Sequence, residues 1–178
     1  MTNPSLALHE RLQFDLTQGQ ILDGPRRYVI LRADVLMGAF ERSDANAHQL
    51  ALAALGDSVT RFGADSVHAY LAEVGPHALL QAMVDGSASL GWGAWTFSED
   101  EDTLRLEVRN SPFAAGSRGA TQAVCHPIAG MLRAVAQALW SRPVHVQEVR
   151  CGACQTPGPS THCLFLASPQ RESGALAG

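Results

Sequence analysis

The feature that most constrains this chain is a cysteine-rich stretch, residues 148–163, with the sequence E-V-R-C-G-A-C-Q-T-P-G-P-S-T-H-C. It holds three of the four cysteines and begins inside an apolar run, P-V-H-V-Q-E-V, that predicts a strand. The fourth, Cys125, stands at the start of a predicted helix, A-V-C-H-P-I-A-G-M-L-R-A-V-A-Q-A-L. Thiolates at the C-x-x-C spacing of Cys151 and Cys154 can hold one tetrahedral metal ion. We therefore expect the two places to meet around a metal.

The residues themselves leave several ligand sets open. All four cysteines could bind, and His162 and Glu148 are further candidates. The thiols could instead form a redox pair, disulfides or inert buried side chains. A redox C-x-x-C belongs between a strand and a helix, whereas a turn-rich loop and a strand, C-L-F-L-A, follow here. Disulfides require an oxidising compartment, and no secretory signal is visible. The pattern favours metal binding.

The composition is that of a single globular domain. The chain has 178 residues, of which 46% are hydrophobic and 17% charged, enough to bury a real core. A net charge of −4 without a basic run argues against nucleic acid as a direct partner. All thirteen cationic side chains are arginine, which excludes a Schiff-base or P-loop lysine. No apolar run is long enough to span a bilayer, and we expect a cytoplasmic protein.

Hydrophobic periodicity predicts an α+β fold, with helices packed on an antiparallel sheet of about four strands. We expect residues 1–25 to form a lead-in with a short helix, residues 26–167 the domain, and residues 168–178 a flexible tail. The predicted helices cover 33–40, 45–73, 77–90 and 122–139, and the predicted strands cover 26–31, 91–97, 103–109, 143–149 and 162–167. Gly56 and Gly63 interrupt the longest helix, where we expect close packing or a kink.

The order of the motifs in the second half of the chain resembles a known family. E-V-R-C-G-A-C…H-C-L-F, preceded by A-V-C-H-P-I-A-G-M-L and by N-S-P-F-A at Asn110–Ala114, is similar to the 4-vinyl reductase domain family. That family includes a bacteriochlorophyll-biosynthesis protein and the phenol-sensing domains of bacterial activators. The resemblance is best over residues 108–167 and is collinear from about Arg26. It implies a fold like that of TRAPP vesicle-tethering subunits, with a zinc-stapled C-terminal part, and a homodimer.

The resemblance also implies a ligand set for the metal. In the phenol-sensing branch zinc is held by a Cys before the helix, a Glu closing the next strand, and two further Cys. Carried over to this chain, these are Cys125, Glu148, Cys151 and Cys163. The spacings agree with that pattern except from Cys151 to Cys163, where the loop is a few residues longer. The longer loop keeps Cys154 and His162 as rival ligands.

Several aromatic side chains near the middle of the chain suit stacking on a flat apolar ligand, with core packing as the alternative. The predicted ligand-binding residues are Trp92, Trp95, Phe97, Val108, Phe113 and His126. In the phenol-sensing branch a Trp and a His hold the phenol hydroxyl. Val108 stands at the Trp position and His77 lies near the His position, so the phenol contacts are not retained in type.

Three functions are open on the sequence. The first is a zinc-containing domain holding an apolar aromatic or tetrapyrrole ligand, either as a carrier or accessory protein in tetrapyrrole (bacteriochlorophyll) metabolism or as a stand-alone sensor. The second is a reductase of the 8-vinyl group of a divinyl tetrapyrrole, although no dinucleotide fingerprint supplies a hydride source. The third is a protein-interaction module like the TRAPP subunits. The sequence favours the first.

Overall fold

The α+β architecture predicted from the sequence is confirmed in a computed structural model, which describes residues 7–41, 44–117, 119–156 and 161–170. The helices are α1 (Leu8–Arg11), α2 (Ala33–Gly38), α3 (Ala45–Val74), α4 (Pro76–Ser89), α5 (Pro112–Gly116) and α6 (His126–Trp140). The strands are β1 (Gln13–Asp15), β2 (Gln20–Asp23), β3 (Arg26–Tyr28), β4 (Ala94–Asp100), β5 (Thr103–Arg109), β6 (Val144–Arg150) and β7 (His162–Pro169). A 3₁₀ turn, Gly152–Cys154, follows β6.

The main sheet is antiparallel and has four strands in the order β4-β5-β7-β6. β4 and β5 form a hairpin whose tip is the acidic stretch at 99–102, and β7 pairs with both β5 and β6. In β5, Leu104, Leu106 and Val108 are buried and alternate with more exposed polar residues. Because side chains alternate between the faces of a strand, this pattern turns one face of the sheet toward the helices.

Helix α6 is the centre of the core, since it contacts α3, β6 and β7. Gly56 of α3 and Gly130 of α6 face each other at the crossing. A Cβ added to Gly130 would lie 2.1 Å from the Gly56 carbonyl oxygen, and one on Gly56 would lie 2.7 Å from the His126 carbonyl oxygen. The Thr60 hydroxyl donates to the Gly130 carbonyl oxygen at 3.0 Å. Close packing at Gly56 is therefore confirmed, and α3 runs as one helix through both of its glycines.

The ends of α3 follow from local chemistry. The Asp44 side chain accepts hydrogen bonds from the backbone N–H groups of Asn46 and Ala47, which caps the first turn. At the other end Gly75 has φ +75°, which few other residues adopt, and Pro76 starts α4. The chain therefore reverses between α3 and α4 at the Gly-Pro pair predicted to end the helix.

The N-terminal part differs from its prediction. Residues 13–28 form a three-stranded antiparallel meander, β1-β2-β3, in which Gly24 and Pro25 make the second turn. The prediction of one strand over 26–31 is wrong beyond Tyr28, because residues 29–31 are exposed and belong to no strand. Strands of three or four residues are too short to give a clear alternating pattern.

Other boundaries move by a few residues. β4 begins at Ala94 and α6 at His126, each later than predicted, and β7 continues through Pro169. The rest of the predicted tail, 171–178, lies outside the described residues. Within the described ranges no helix is both long and apolar enough to cross a membrane.

Gly130→Ala is expected to destabilise the protein by about 1–3 kcal/mol, because the new Cβ meets the backbone of α3 and the two helices must move apart. Urea denaturation measures the change. Gly86→Ala in α4 is the matched control, since a Cβ there meets nothing within 4 Å and should be neutral or stabilising by up to about 1 kcal/mol. Equal effects of the two substitutions would contradict the proposed packing.

Candidate functional site

Four side chains from separate parts of the fold meet beside the C-terminal end of β6. Cys125 precedes α6, Glu148 lies in β6, Cys151 follows that strand and Cys163 lies in β7. One potential ligand atom from each lies within 4.8 Å of every other, and the three cysteines are buried. The structure thus brings together the four residues that the family resemblance implies, and as a group they could hold a metal ion.

Short-range hydrogen bonds orient these side chains. The backbone N–H of Cys125 donates to Glu148 Oε2 at 3.0 Å, and that of Gly152 donates to Cys163 Sγ at 3.2 Å. Ser111 Oγ, which caps α5, lies 3.2 Å from Cys125 Sγ. A register shift between Glu148 and Arg150 interrupts the ladder with β7 at this point. Such irregularities re-aim side chains, and hydrogen bonds of this kind fix the ligands of metal sites.

The geometry fits a tetrahedral ion. With ligand sulfurs at about 2.3 Å from the metal, neighbouring ligand atoms lie about 3.8 Å apart. Cys125 Sγ and Cys163 Sγ are 3.5 Å apart, and the whole set falls within 4.8 Å. Glu148 Oε1 is buried and has no hydrogen-bond partner in the described part of the chain. Since buried polar atoms are costly to leave unpaired, this oxygen is free to act as a ligand.

The electrostatics of the group also favour a cation. Burial raises the pKa of the Glu148 carboxyl to about 8, and the neighbouring Cys151 adds to the rise. Hydrogen bonds from Cys125 and Cys163 lower the pKa of the Cys151 thiol, whereas the hydrogen bond to Cys151 raises the pKa of Cys125. Acids packed this closely cannot all ionise in a buried site unless a positive charge compensates them.

The two rival ligands lie outside the group. Cys154 is exposed, and its Sγ donates to the Gln122 carbonyl oxygen at 3.1 Å. His162 Nε2 lies 2.6 Å from Arg150 Nη1. The fold therefore does not assemble the plain four-cysteine set.

A cavity of about 250 Å³ lies between the helices α3 and α4, strand β4 and the N-terminal meander. Trp92 and Trp95 line it, and the Trp95 indole N–H donates to the Trp92 carbonyl oxygen at 3.1 Å. Phe113 packs edge-on against Trp92 with ring centroids 5.3 Å apart, and Phe97 lies 5.9 Å from Trp95. Two predicted residues thus line the cavity, and two support those that do.

Val108 and His126 lie elsewhere. Val108 is fully buried and borders a second cleft, of about 610 Å³, that reaches Cys163. His126 Nε2 lies 3.1 Å from Gln49 Oε1, which links the start of α6 to α3. Burial lowers the pKa of His126. Neither residue is among those that line the aromatic cavity.

Sequence reasoning missed the polar end of this cavity. Arg11 Nε and Nη2 donate to Asp23 Oδ1 and Oδ2 at 3.3 and 3.1 Å, and Nη2 also donates to the Tyr70 hydroxyl at 2.9 Å. The Arg11 and Asp23 side chains are only 10% and 5% exposed. Both fall in the segment predicted to be a lead-in, and no local motif links them to Tyr70.

Residues 104–169 match the model of the vinyl-4-reductase domain, a span that runs from β5 to β7 and contains all four members of the metal group. The family resemblance predicted from the sequence is confirmed. No curated protein matches the chain in sequence.

Three solved structures share the fold of this chain. The phenol-responsive sensory domain of the transcription activator PoxR, solved with phenol, is 20% identical with a TM-score of 0.75, over 93% of this chain and 89% of that one. A vinyl-4-reductase family protein from Methanocaldococcus jannaschii is 13% identical with a TM-score of 0.50, over 78% and 91%. A trafficking protein particle complex subunit 3 from Naegleria fowleri, covalently bound to palmitic acid, is 9% identical with a TM-score of 0.50, over 78% and 95%. The TRAPP-like fold is therefore confirmed.

Cys151→Ser and Cys154→Ser form a matched pair of substitutions for the metal group. Cys151→Ser is expected to lose the metal and to destabilise the protein by about 4 kcal/mol or more, because metal binding at such a site is folding free energy. Cys154→Ser should keep both metal content and stability, since its thiol is exposed and outside the group. Elemental analysis and thermal unfolding measure the two effects. Equal metal loss in both variants would favour a four-cysteine site instead.

Proposed function

We propose that this chain is a zinc-containing, sensor-type domain that binds a small apolar aromatic molecule. The observation that carries this proposal is the cavity of about 250 Å³ beside Trp92 and Trp95, which lies on a scaffold braced by the metal group. Ligand sites are typically concave and apolar, with a few polar groups at fixed positions. The cavity has this character, with indole rings near one end and the Arg11–Asp23 pair at the other.

Zinc is the metal that the ligand set supports best. Three thiolates and one carboxylate in a closed tetrahedron suit zinc, whereas calcium and magnesium prefer oxygen ligands throughout. When bound, zinc would supply folding energy by tying Cys125 before α6 to Glu148, Cys151 and Cys163 beside the sheet. The chain's own residues would hold the ligand. We expect the protein to act in the cytoplasm, where reducing conditions keep these thiols available.

The volume of the cavity bears on the class of ligand. An engineered cavity of about 150 Å³ holds one benzene molecule. A cavity of about 250 Å³ therefore suits one or two aromatic rings, and a tetrapyrrole macrocycle needs considerably more room. The volume favours a sensor or carrier of small aromatic molecules over an accessory role in tetrapyrrole metabolism.

The proposed unit includes the N-terminal meander and works as a homodimer. Asp23 and Tyr28 of the meander line the cavity, so we place the start of the domain before residue 26. Exposed apolar side chains follow directly: Val29 is 76% and Ile30 is 73% exposed. Contiguous exposed apolar surface commonly marks a protein interface, and a second copy is the partner that the family resemblance implies.

Nitrobenzene, an uncharged one-ring probe, is expected to quench the tryptophan fluorescence saturably, since two of the three tryptophans line the cavity. Trp95→Ala should weaken binding about tenfold, because it removes a large aromatic contact, and should leave the zinc content unchanged. Trp140→Phe is the control, since Trp140 ends α6 and is not among the residues lining the cavity.

Fluorescence titration and elemental analysis on the same samples give both results. Quenching that stays linear with nitrobenzene concentration, as for simple collisions, would contradict the binding proposal. So would equal affinities in the native protein and Trp95→Ala.

A further inference from the structure

A second, more open cleft of about 480 Å³ adjoins the aromatic cavity near α1. Five residues line both spaces: Leu8, Arg11, Tyr70, Glu73 and Gly86. These shared residues form the partition between the enclosed cavity and the outer cleft. Two of them, Leu8 and Arg11, belong to α1, and the others belong to α3 and α4.

The partition is fastened by Arg11. Its guanidinium group makes a two-pronged hydrogen-bonded pair with Asp23 of β2 and also donates to the Tyr70 hydroxyl of α3. The guanidinium carbon lies 5.7 Å from the centroid of the Tyr70 ring. One side chain thus joins α1 to both the meander and the long helix. Arg is suited to this role because its planar fork matches a carboxylate at two points.

Helix α1 cannot hold its place by helical stability. It has four residues, and isolated helices this short do not form in water. Leu8 is its one buried residue, and His9 Nδ1 lies 3.0 Å from Ser89 Oγ on α4. The Arg11 contacts are therefore central to keeping α1 between the two spaces.

We propose that Arg11, held by Asp23 and Tyr70, limits the size of the ligand and governs its exchange through the outer cleft. This inference rests on the proposed function, because it concerns the same cavity. With Arg11 in place the ligand is confined to about 250 Å³, room for one or two rings. Without the partition the cavity opens into the adjoining cleft and accepts a larger fused-ring molecule.

The test compares naphthalene, with two rings, and pyrene, with four, on the native protein and on Arg11→Ala/Asp23→Ala. The double variant removes both charges, so no unpaired carboxylate stays buried. We expect the native protein to bind naphthalene but not pyrene saturably. The double variant should gain at least about tenfold in pyrene affinity and release naphthalene at least about tenfold faster. Calorimetry, pyrene fluorescence and stopped-flow displacement give these values.

The matched control is Arg133→Ala/Asp57→Ala, which removes an ion pair of 3.0 Å between α6 and α3 that borders neither space. It should behave like the native protein toward both probes. Leu8→Ala widens the same partition without touching the ion pair and should also admit pyrene. Leu8→Ala therefore tests the partition even if the double variant does not fold.

The outcomes separate the two proposals. Naphthalene binding with pyrene excluded from every variant, or with pyrene admitted to the native protein, overturns the role of Arg11 and leaves the aromatic cavity intact. Failure of naphthalene and nitrobenzene to bind the native protein overturns the proposed function and this inference together.

Discussion

The structure depends on the burial of three thiols and a carboxyl group within 4.8 Å of one another. Such a group is unstable without compensation, because burial opposes ionisation and the close neighbours compete for protons. A bound cation removes this conflict and converts it into folding free energy. Since the four residues come from the start of α6 and from the β6–β7 region, one ion would fix the helix against the sheet.

Helix α6 carries this constraint to the cavity. Its first turn follows Cys125, its Gly130 meets Gly56 of α3 backbone to backbone, and its Met131 lines the cavity. Tyr70, further along α3, reaches the opposite end of the same cavity. Because closely packed helices transmit displacement, loss of the metal would alter the cavity through its walls. The proposed zinc thus acts on ligand binding through shape.

The sequence was most informative where signals are local and strong. The alternation in β5 and the apolar face of α6 gave the right elements, and cysteine spacing combined with family resemblance selected the four residues that meet. It failed for the meander, whose strands have three or four residues, and for the pair of Arg11 and Asp23, which lie 12 residues apart with no motif between them. Long-range ion pairs and cavity volumes arise from packing, so no local pattern reports them.

The central claim is that a zinc ion is held by three cysteine sulfurs and one glutamate oxygen. X-ray absorption at the zinc edge, on protein purified without added metal, measures the ligand shell directly. The account predicts three sulfurs at about 2.3 Å and one oxygen at about 2.0–2.2 Å. A shell of four sulfurs would show that Cys154 replaces Glu148, and the absence of bound zinc would contradict the account altogether.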